Sequence, residues 1–153
     1  ERAIIADALR IYDYAVRRSE VDPARVVVMG RSLGSGVAVL LAAQRPVRGV
    51  IAVTPYESVA AVAQARYRIV PISLILRHPF DAQSRARTLS APLLAIIAMR
   101  DTVIPPVHAR RLCAAWGGPG TTVEIPDTDH NTVTSGLGYW EGIARFLRAC
   151  LRT

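Results

Sequence analysis

Residues 30–34 read Gly-Arg-Ser-Leu-Gly and fit the pattern G-x-S-x-G. An apolar run leads straight into this segment, and a helical pattern follows it. A serine on such a strand-to-helix turn projects its hydroxyl above the sheet, where it can act as a nucleophile. We predict that role for Ser32, with the backbone N–H of Leu33 donating to an oxyanion and with Gly30 and Gly34 small because bulkier residues would collide with neighbouring backbone. An ordinary glycine turn and a poorly matched phosphate-binding loop are the alternatives.

A serine hydroxyl needs a base to take its proton, and the base needs a carboxylate to orient it. Asp101 follows the third run of strand-forming residues and His130 follows the fourth, just as Ser32 follows the first. We therefore predict Asp101 as the acid and His130 as the base. Glu57, after the second run, is the reserve candidate for the acid. The alternatives are a helix-capping role for Asp101 and a solvent-facing loop position for His130.

The other histidines and the acidic residues beside His130 are weaker candidates. His78 precedes a proline, and His108 lies within a predicted helix, where a surface position is expected. Asp127 and Asp129 flank His130 and are expected to be loop or cap residues.

These residues must be positioned by an alternation of strands and helices. Buried strands are predicted at 25–29, 49–53 and 92–98, and a fourth strand at 121–125. Helices are predicted at 3–18, 37–45, 57–68, 105–116 and 138–151, with 71–77 of uncertain type. This order implies an α/β fold with three αβα layers and a mostly parallel sheet, whose ligands bind at the carboxyl ends of the strands. Residues 1–153 read as a single domain, in which the excursion 57–81 is predicted to cover the site as a small lid.

The net charge is +7, and arginine alone carries the positive charge because the chain has no lysine. Together with the abundant alanine, this is typical of a GC-rich bacterial genome. The arginines are scattered rather than clustered, which argues against nucleic-acid binding. Arg31 and Arg100 lie beside Ser32 and Asp101; they either favour anionic substrates or face outward in salt bridges, and the second interpretation is preferred.

The cysteines and the hydropathy of the chain indicate in which cellular compartment it works and whether it binds a metal or spans a membrane. Cys113 and Cys150 lie in apolar helical patterns without framework spacing, which favours free thiols and a cytoplasmic location. No Cys or His pair has ligand spacing, so neither a metal nor another cofactor is expected. No run reaches the roughly 18 apolar residues of a membrane helix, so no membrane span is expected in this chain. The opening Glu1-Arg2-Ala3-Ile4 lies inside a helical pattern, which is typical of a fragment.

Several segments together resemble the α/β-hydrolase superfamily, over nearly the whole chain: 30–36, 48–51, 79–81, 101–105 and 129–131. The most similar branch is the esterase- and lipase-like serine hydrolases related to acyl-protein depalmitoylases and dienelactone-hydrolase-like proteins. The resemblance implies that the four strands are the last four of an eight-stranded fold, with the chain order serine, acid, histidine. It also implies a serine hydrolase that cleaves a small-molecule carboxylic ester or thioester.

The sequence departs from that family in two respects. The segment before the acid usually reads close to H-G-x-x-D, whereas here it is Ala98-Met99-Arg100-Asp101. The upstream strands and their oxyanion loop, which supply a second oxyanion donor, are expected to be missing from this chain. Since losing one donor costs on the order of 100- to 1,000-fold in rate, a catalytically impaired fragment used for binding or assembly is the alternative function. The strand before Ser32 should then expose an apolar edge, which either pairs with a second copy as a homodimer or is covered in a longer protein.

Overall fold

The computed structural model describes residues 1–152 as one sheet with helices on both faces. In chain order, its strands and α-helices are α1 (Arg2–Ala15), β1 (Val27–Arg31), α2 (Leu33–Ala42), β2 (Gly49–Val53), α3 (Val59–Arg66), α4 (Ile72–Ile75), α5 (Ala82–Ala86), β3 (Leu93–Ala98), α6 (Pro106–Ala114), β4 (Gly120–Ile125) and α7 (Tyr139–Leu151).

All strand pairs of the sheet are parallel, and the spatial order β1-β2-β3-β4 follows the chain. The registers bring Arg31 opposite Val53, Val53 opposite Ile96, and Ala98 opposite Ile125, so the strands end within two residues of one another. Each strand end therefore delivers its following loop to one edge of the sheet. This parallel α/β arrangement confirms the predicted fold class.

Alternate side chains of the central strands pack against different helices. One set, which includes Val50, Ala52 and Leu93, packs with α2, α5 and α6, whereas the other, which includes Ile51 and Leu94, packs with α7. Every residue of β2 and β3 is buried. A strand buried on both faces must be apolar throughout, which is why these runs show no polar alternation.

Three element boundaries around Ser32 differ from the sequence prediction. β1 begins at Val27 rather than residue 25 because Pro23–Arg25 form a 3-10 turn capped by Asp22. It then continues to Arg31, and α2 begins at Leu33 rather than residue 37. The turn is therefore sharper than a glycine-rich loop, with the change of direction concentrated at one residue.

β1 has a hydrogen-bonded neighbour in the sheet on one side only. Along its other side runs an apolar groove of about 570 Å³ between α1 and α2. Met29 of β1 and Ile11 of α1 line this groove and are 49% and 69% exposed. The predicted apolar edge on the strand before Ser32 is thus present among the described residues.

The excursion 57–81 leaves the sheet after β2 and contains two short helices, α3 and α4; α5 follows it before the chain returns to the sheet at β3. Its base is closed by a hydrogen bond from the Val59 N–H to the Pro79 carbonyl at 2.8 Å. Phe80 anchors the end of the excursion in a buried cluster with Leu40, Tyr56 and Ile104. The uncertain segment 71–77 contains the one-turn helix α4, and α5 was not predicted. Across residues 1–152, none of the helices has both the length and the apolar character that crossing a bilayer requires.

Candidate active site

Ser32 occupies the single residue between β1 and α2, in a backbone conformation that side chains rarely adopt. Its φ is 54° and its ψ is −125°. A non-glycine residue in such a region costs on the order of 1–3 kcal/mol, and surrounding contacts must hold it there. The Ser32 N–H donates to the Val53 carbonyl at 3.0 Å, and the Ser32 carbonyl accepts from the N–H and hydroxyl of Ser35 at 2.9 and 2.7 Å.

The glycines near Ser32 differ in whether the surrounding structure leaves room for a side chain. A Cβ on Gly30 would lie 1.9 Å from the Gly34 carbonyl oxygen, so residue 30 must lack a side chain. A Cβ on Gly36 would lie 2.2 Å from the Tyr56 hydroxyl. A Cβ on Gly34 would meet nothing within 4 Å. The prediction that Gly34 must be small was therefore wrong for this chain, because that position borders the open groove beside β1.

Leu33 is the first residue of α2. The N–H groups of the first turn of a helix have no acceptor within their own helix, and the helix dipole adds positive potential there. The Leu33 N–H is thus a free donor within α2 directly beside the serine. A negative oxygen formed next to Ser32 would be stabilised at this helix end.

The side chains of Ser32, His130 and Asp101 form one hydrogen-bonded chain. Nε2 of His130 lies 3.0 Å from the Ser32 Oγ, and Nδ1 lies 2.7 Å from Oδ2 of Asp101. The carboxylate can only accept, so Nδ1 carries the proton and Nε2 is left to accept from the serine hydroxyl. This arrangement can take a proton from the hydroxyl while the carboxylate stabilises the imidazolium.

Asp101 is fixed by both of its carboxylate oxygens. Oδ2 accepts from His130, whereas Oδ1 accepts from the backbone N–H groups of Val103 and Ile104, each at 2.8 Å. Its side chain is 1% exposed and that of His130 is 13% exposed. Asp101 thus organises the turn before α6 and orients the imidazole at the same time. The helix-capping alternative was wrong, because the N-cap of α6 is Pro105 and no side chain caps it.

Hydrogen bonds to the Asp129 carboxylate stabilise the loop that carries His130. Oδ1 of Asp129 accepts from the N–H groups of Asn131 and Thr132 at 2.8 and 2.9 Å, and also from the Thr132 hydroxyl. These hydrogen bonds lower the pKa of Asp129, those from the backbone most strongly. The stabilisation is present above the pKa of this carboxyl in the unfolded chain and disappears as the pH falls through its lower folded value.

The two arginines beside the predicted site residues face different partners. A guanidinium nitrogen of Arg31 donates to the backbone carbonyl of His130 at 2.5 Å. Arg31 therefore ties the end of β1 to the loop that carries the imidazole. Among the described residues it forms no salt bridge, so the preferred outward-facing interpretation was wrong for Arg31. Arg100 forms an exposed salt bridge with Asp127, as the preferred outward-facing interpretation predicts.

Glu57, the reserve candidate for the acid, contacts His108 and not His130. Its carboxylate lies 2.8 and 2.9 Å from Nδ1 of His108 and 3.1 Å from a guanidinium nitrogen of Arg111. Glu57 and His108 are 4% and 1% exposed, so the surface position predicted for His108 was wrong. Nε2 of His108 is buried without a hydrogen-bond partner in the described part of the chain. His78 is exposed in the excursion.

Sequence reasoning missed three of these contacts: Arg31 with the His130 carbonyl, the hydrogen bonds to Asp129, and the Glu57–His108 pair. A partial signal existed for the last, because His108 and Arg111 are three residues apart on a helix and share a face. Nothing in the sequence indicates that Glu57 meets that face. In residues 1–152, no group of three His, Cys, Asp or Glu side chains could hold a metal ion.

Replacing Gly30 by alanine should destabilise the protein by about 3 kcal/mol, because the new methyl group collides with backbone that cannot move away. Gly34→Ala is the matched control. Its methyl group meets open space, and alanine favours a helix, so stability should be unchanged or slightly higher. Urea unfolding of both variants measures the difference, and equal destabilisation would contradict this account of the turn.

Glu57→Ala should cost about 3 kcal/mol of unfolding free energy, because it leaves the buried His108 without its partner. Arg111→Ala removes the other partner of the same carboxylate. Since the Arg111 side chain is 57% exposed, its loss should cost less than about 1 kcal/mol. Chemical denaturation compares the two variants, and a larger loss for Arg111→Ala would refute the assignment of stability to the buried pair.

Known structures similar to this chain share its fold. An acetyl xylan esterase from Paenibacillus sp. R4 superposes with a TM-score of 0.77 at 24% identity, over 95% of this chain and 52% of that one. A monoacylglycerol lipase from Paleococcus ferrophilus superposes with a TM-score of 0.66 at 19% identity, over 97% and 75%. These likenesses confirm the α/β-hydrolase fold.

Proteins with similar sequences include members of the same superfamily. An uncharacterized protein of Mycobacterium tuberculosis H37Rv is 34% identical over 96% of this chain and 53% of its own length. The α/β hydrolase domain-containing protein WAV2 of Arabidopsis thaliana is 26% identical over 96% and 54%. The chain spans about half the length of these curated relatives. The family model for serine hydrolases matches residues 13–149, and the chain therefore belongs to the serine hydrolase family, within the α/β-hydrolase superfamily.

Proposed function

We propose that this chain cleaves a carboxylic ester or thioester through an acyl-enzyme formed on Ser32. The single observation that carries the proposal is the continuous hydrogen-bonded chain from the Ser32 hydroxyl through His130 to the buried Asp101. Membership of the serine hydrolase family supports hydrolysis as the reaction class. The similarity to an acetyl xylan esterase and a monoacylglycerol lipase supports an ester as the bond that is cleaved.

In the proposed mechanism, the Ser32 oxygen attacks the substrate carbonyl while Nε2 of His130 takes the hydroxyl proton. The carbonyl oxygen becomes an oxyanion, to which the Leu33 N–H donates. His130 then gives the proton to the leaving alcohol or thiol, and the acyl group remains on Ser32. Water deprotonated by His130 attacks the acyl-enzyme, and the acid product leaves with Ser32 restored.

Asp101 and Arg31 serve this mechanism without touching the substrate. Asp101 holds the imidazole in the tautomer that accepts at Nε2 and stabilises the imidazolium that forms. Arg31 holds the backbone carbonyl of His130. In this assignment the excursion 57–81 is a small lid beside the site, within one domain.

A fluorophosphonate probe tests the nucleophile, and matched carboxylate variants test the acid. The probe should label Ser32, whereas Ser32→Ala should take up none. With a small activated ester, Asp101→Asn should lower kcat by roughly 10⁴-fold, since the amide favours the wrong tautomer. Glu57→Gln makes the same change at the other histidine-bound carboxylate and should leave kcat nearly unchanged. Labelling of another residue, or a larger loss with Glu57→Gln, would overturn these roles.

We propose a cytoplasmic location for this chain, supported by its cysteines. Cys113 and Cys150 are free thiols. Burial raises the pKa of both, so they remain protonated near neutral pH and react slowly with oxidants.

A second candidate function, assembly through the edge of β1, is favoured by the apolar groove along that strand. We propose a second copy of this chain as the occupant, joined by a symmetric contact of the same edge on both copies. Unpaired backbone groups of an edge strand provide hydrogen bonds, and the exposed Ile11 and Met29 provide apolar area.

Light scattering across a concentration series tests this assembly. The chain should be a dimer, and Met29→Arg should make it a monomer because the charge would be buried in the contact. Leu137→Arg, which places the same charge on an exposed apolar residue outside this groove, is the matched control and should leave the dimer intact. A monomeric chain at all concentrations would exclude assembly through this edge.

A further inference from the structure

The middle of the excursion exposes apolar and basic side chains together. Ile69 and Leu74 are 98% and 84% exposed, and Ile75 is 63% exposed. Exposed apolar residues that occur singly are ordinary, but a contiguous group marks an interaction surface. We define the basic-apolar face as the exposed side chains of Arg66, Tyr67, Arg68, Ile69, Val70, Leu74, Ile75 and Arg77.

Polar contacts inside the excursion hold this face outward. The side chain of Gln64 accepts from the Ile72 N–H at 3.1 Å and donates to the Tyr67 carbonyl at 3.1 Å. The amide of Gln64 thereby satisfies backbone groups of the excursion, while the side chains of Ile69 and Leu74 are exposed to solvent. This reverses the usual pattern of a self-contained loop, in which apolar groups face inward, and it leaves apolar area available to a partner.

The charge on this part of the chain has one sign. Residues 58–80 contain three arginines and no Asp or Glu. Among the described residues, none of Arg66, Arg68 and Arg77 has a carboxylate within salt-bridge distance. Arginine side chains can lay their apolar stems along hydrocarbon while the guanidinium stays at the polar boundary. A surface that is negatively charged and apolar beneath complements all of these groups.

The basic-apolar face adjoins the loop that carries the acid. Arg66 and Val103 line the same cleft of about 140 Å³, and the Val103 N–H donates to Asp101. Whatever binds this face at Arg66 therefore lies beside the loop after β3 that carries Asp101.

We propose that the basic-apolar face docks onto an anionic lipid membrane surface. Apolar side chains would enter the boundary between headgroups and acyl chains, and the arginines would contact the anionic headgroups. This binding goes beyond the proposed hydrolysis and does not need it. It would hold the candidate active site against the lipid–water boundary.

Sedimentation with lipid vesicles tests the proposal on the full chain. Phosphatidylcholine vesicles that contain phosphatidylglycerol should bind the protein, with an affinity that falls as salt rises. The triple variant R66Q/R68Q/R77Q should bind roughly 100-fold more weakly, since each arginine near an anionic surface contributes roughly fivefold. The control variant R145Q/R148Q/R152Q removes the same amount of charge from α7 and the residue that follows it. Its affinity for the vesicles should be close to that of the unaltered chain.

A second pair of variants separates docking from catalysis and from self-association. I69S/L74S should weaken binding even at low salt, because the apolar component is lost while the charge is kept. Ser32→Ala should bind vesicles normally, so a failure of the proposed hydrolysis leaves this result unaffected. Equal binding to vesicles with and without phosphatidylglycerol would overturn the proposal, as would equal losses for the two triple arginine variants. A dimer that I69S/L74S converts to a monomer would instead assign the face to a second copy of this chain.

Discussion

The imidazole of His130 joins two loops that leave different strands, and the candidate active site depends on that bridge. Its two nitrogens lie 3.0 Å from the Ser32 hydroxyl and 2.7 Å from the Asp101 carboxylate. A shift of one ångström at either loop would break the chain of hydrogen bonds. The parallel sheet supplies the required precision, because β1, β3 and β4 end within two residues of one another and their loops emerge at one edge.

Local contacts then fix each loop against that edge. The strained backbone of Ser32 is held by hydrogen bonds to Val53 and Ser35, and it is possible because Gly30 leaves room for the Gly34 carbonyl. Asp129 closes the turn on the carboxyl side of His130, and Arg31 ties the His130 carbonyl to β1. The hydrogen bonds around the turn and the loops offset the free-energy cost of the strained backbone at Ser32. Strained backbone persists in folded proteins only where surrounding contacts compensate for it in this way.

Two histidine–carboxylate pairs occur in this chain, and their surroundings give them different roles. In each, Nδ1 of the imidazole meets a carboxylate at under 3 Å. Nε2 of His130 faces a serine hydroxyl, and the side chain is partly exposed. His108 is 1% exposed and its Nε2 meets no polar group of the described chain. The first pair can exchange a proton with a substrate, whereas the second joins α6 to the start of the excursion.

The sequence by itself determined the order of the four strands and the five longer helices, the turn at Ser32 and the candidate chain of Ser32, Asp101 and His130. Such features are local: apolar runs, glycine at a crowded turn, and polar residues directly after strands. Only the tertiary structure decided that Glu57 meets His108, that Arg31 meets the His130 carbonyl, that Gly34 borders open space, and that the apolar residues of the excursion face solvent. These contacts either join residues that are far apart in the chain or depend on which atoms occupy the neighbouring space. The local periodicity of the sequence contains neither kind of information.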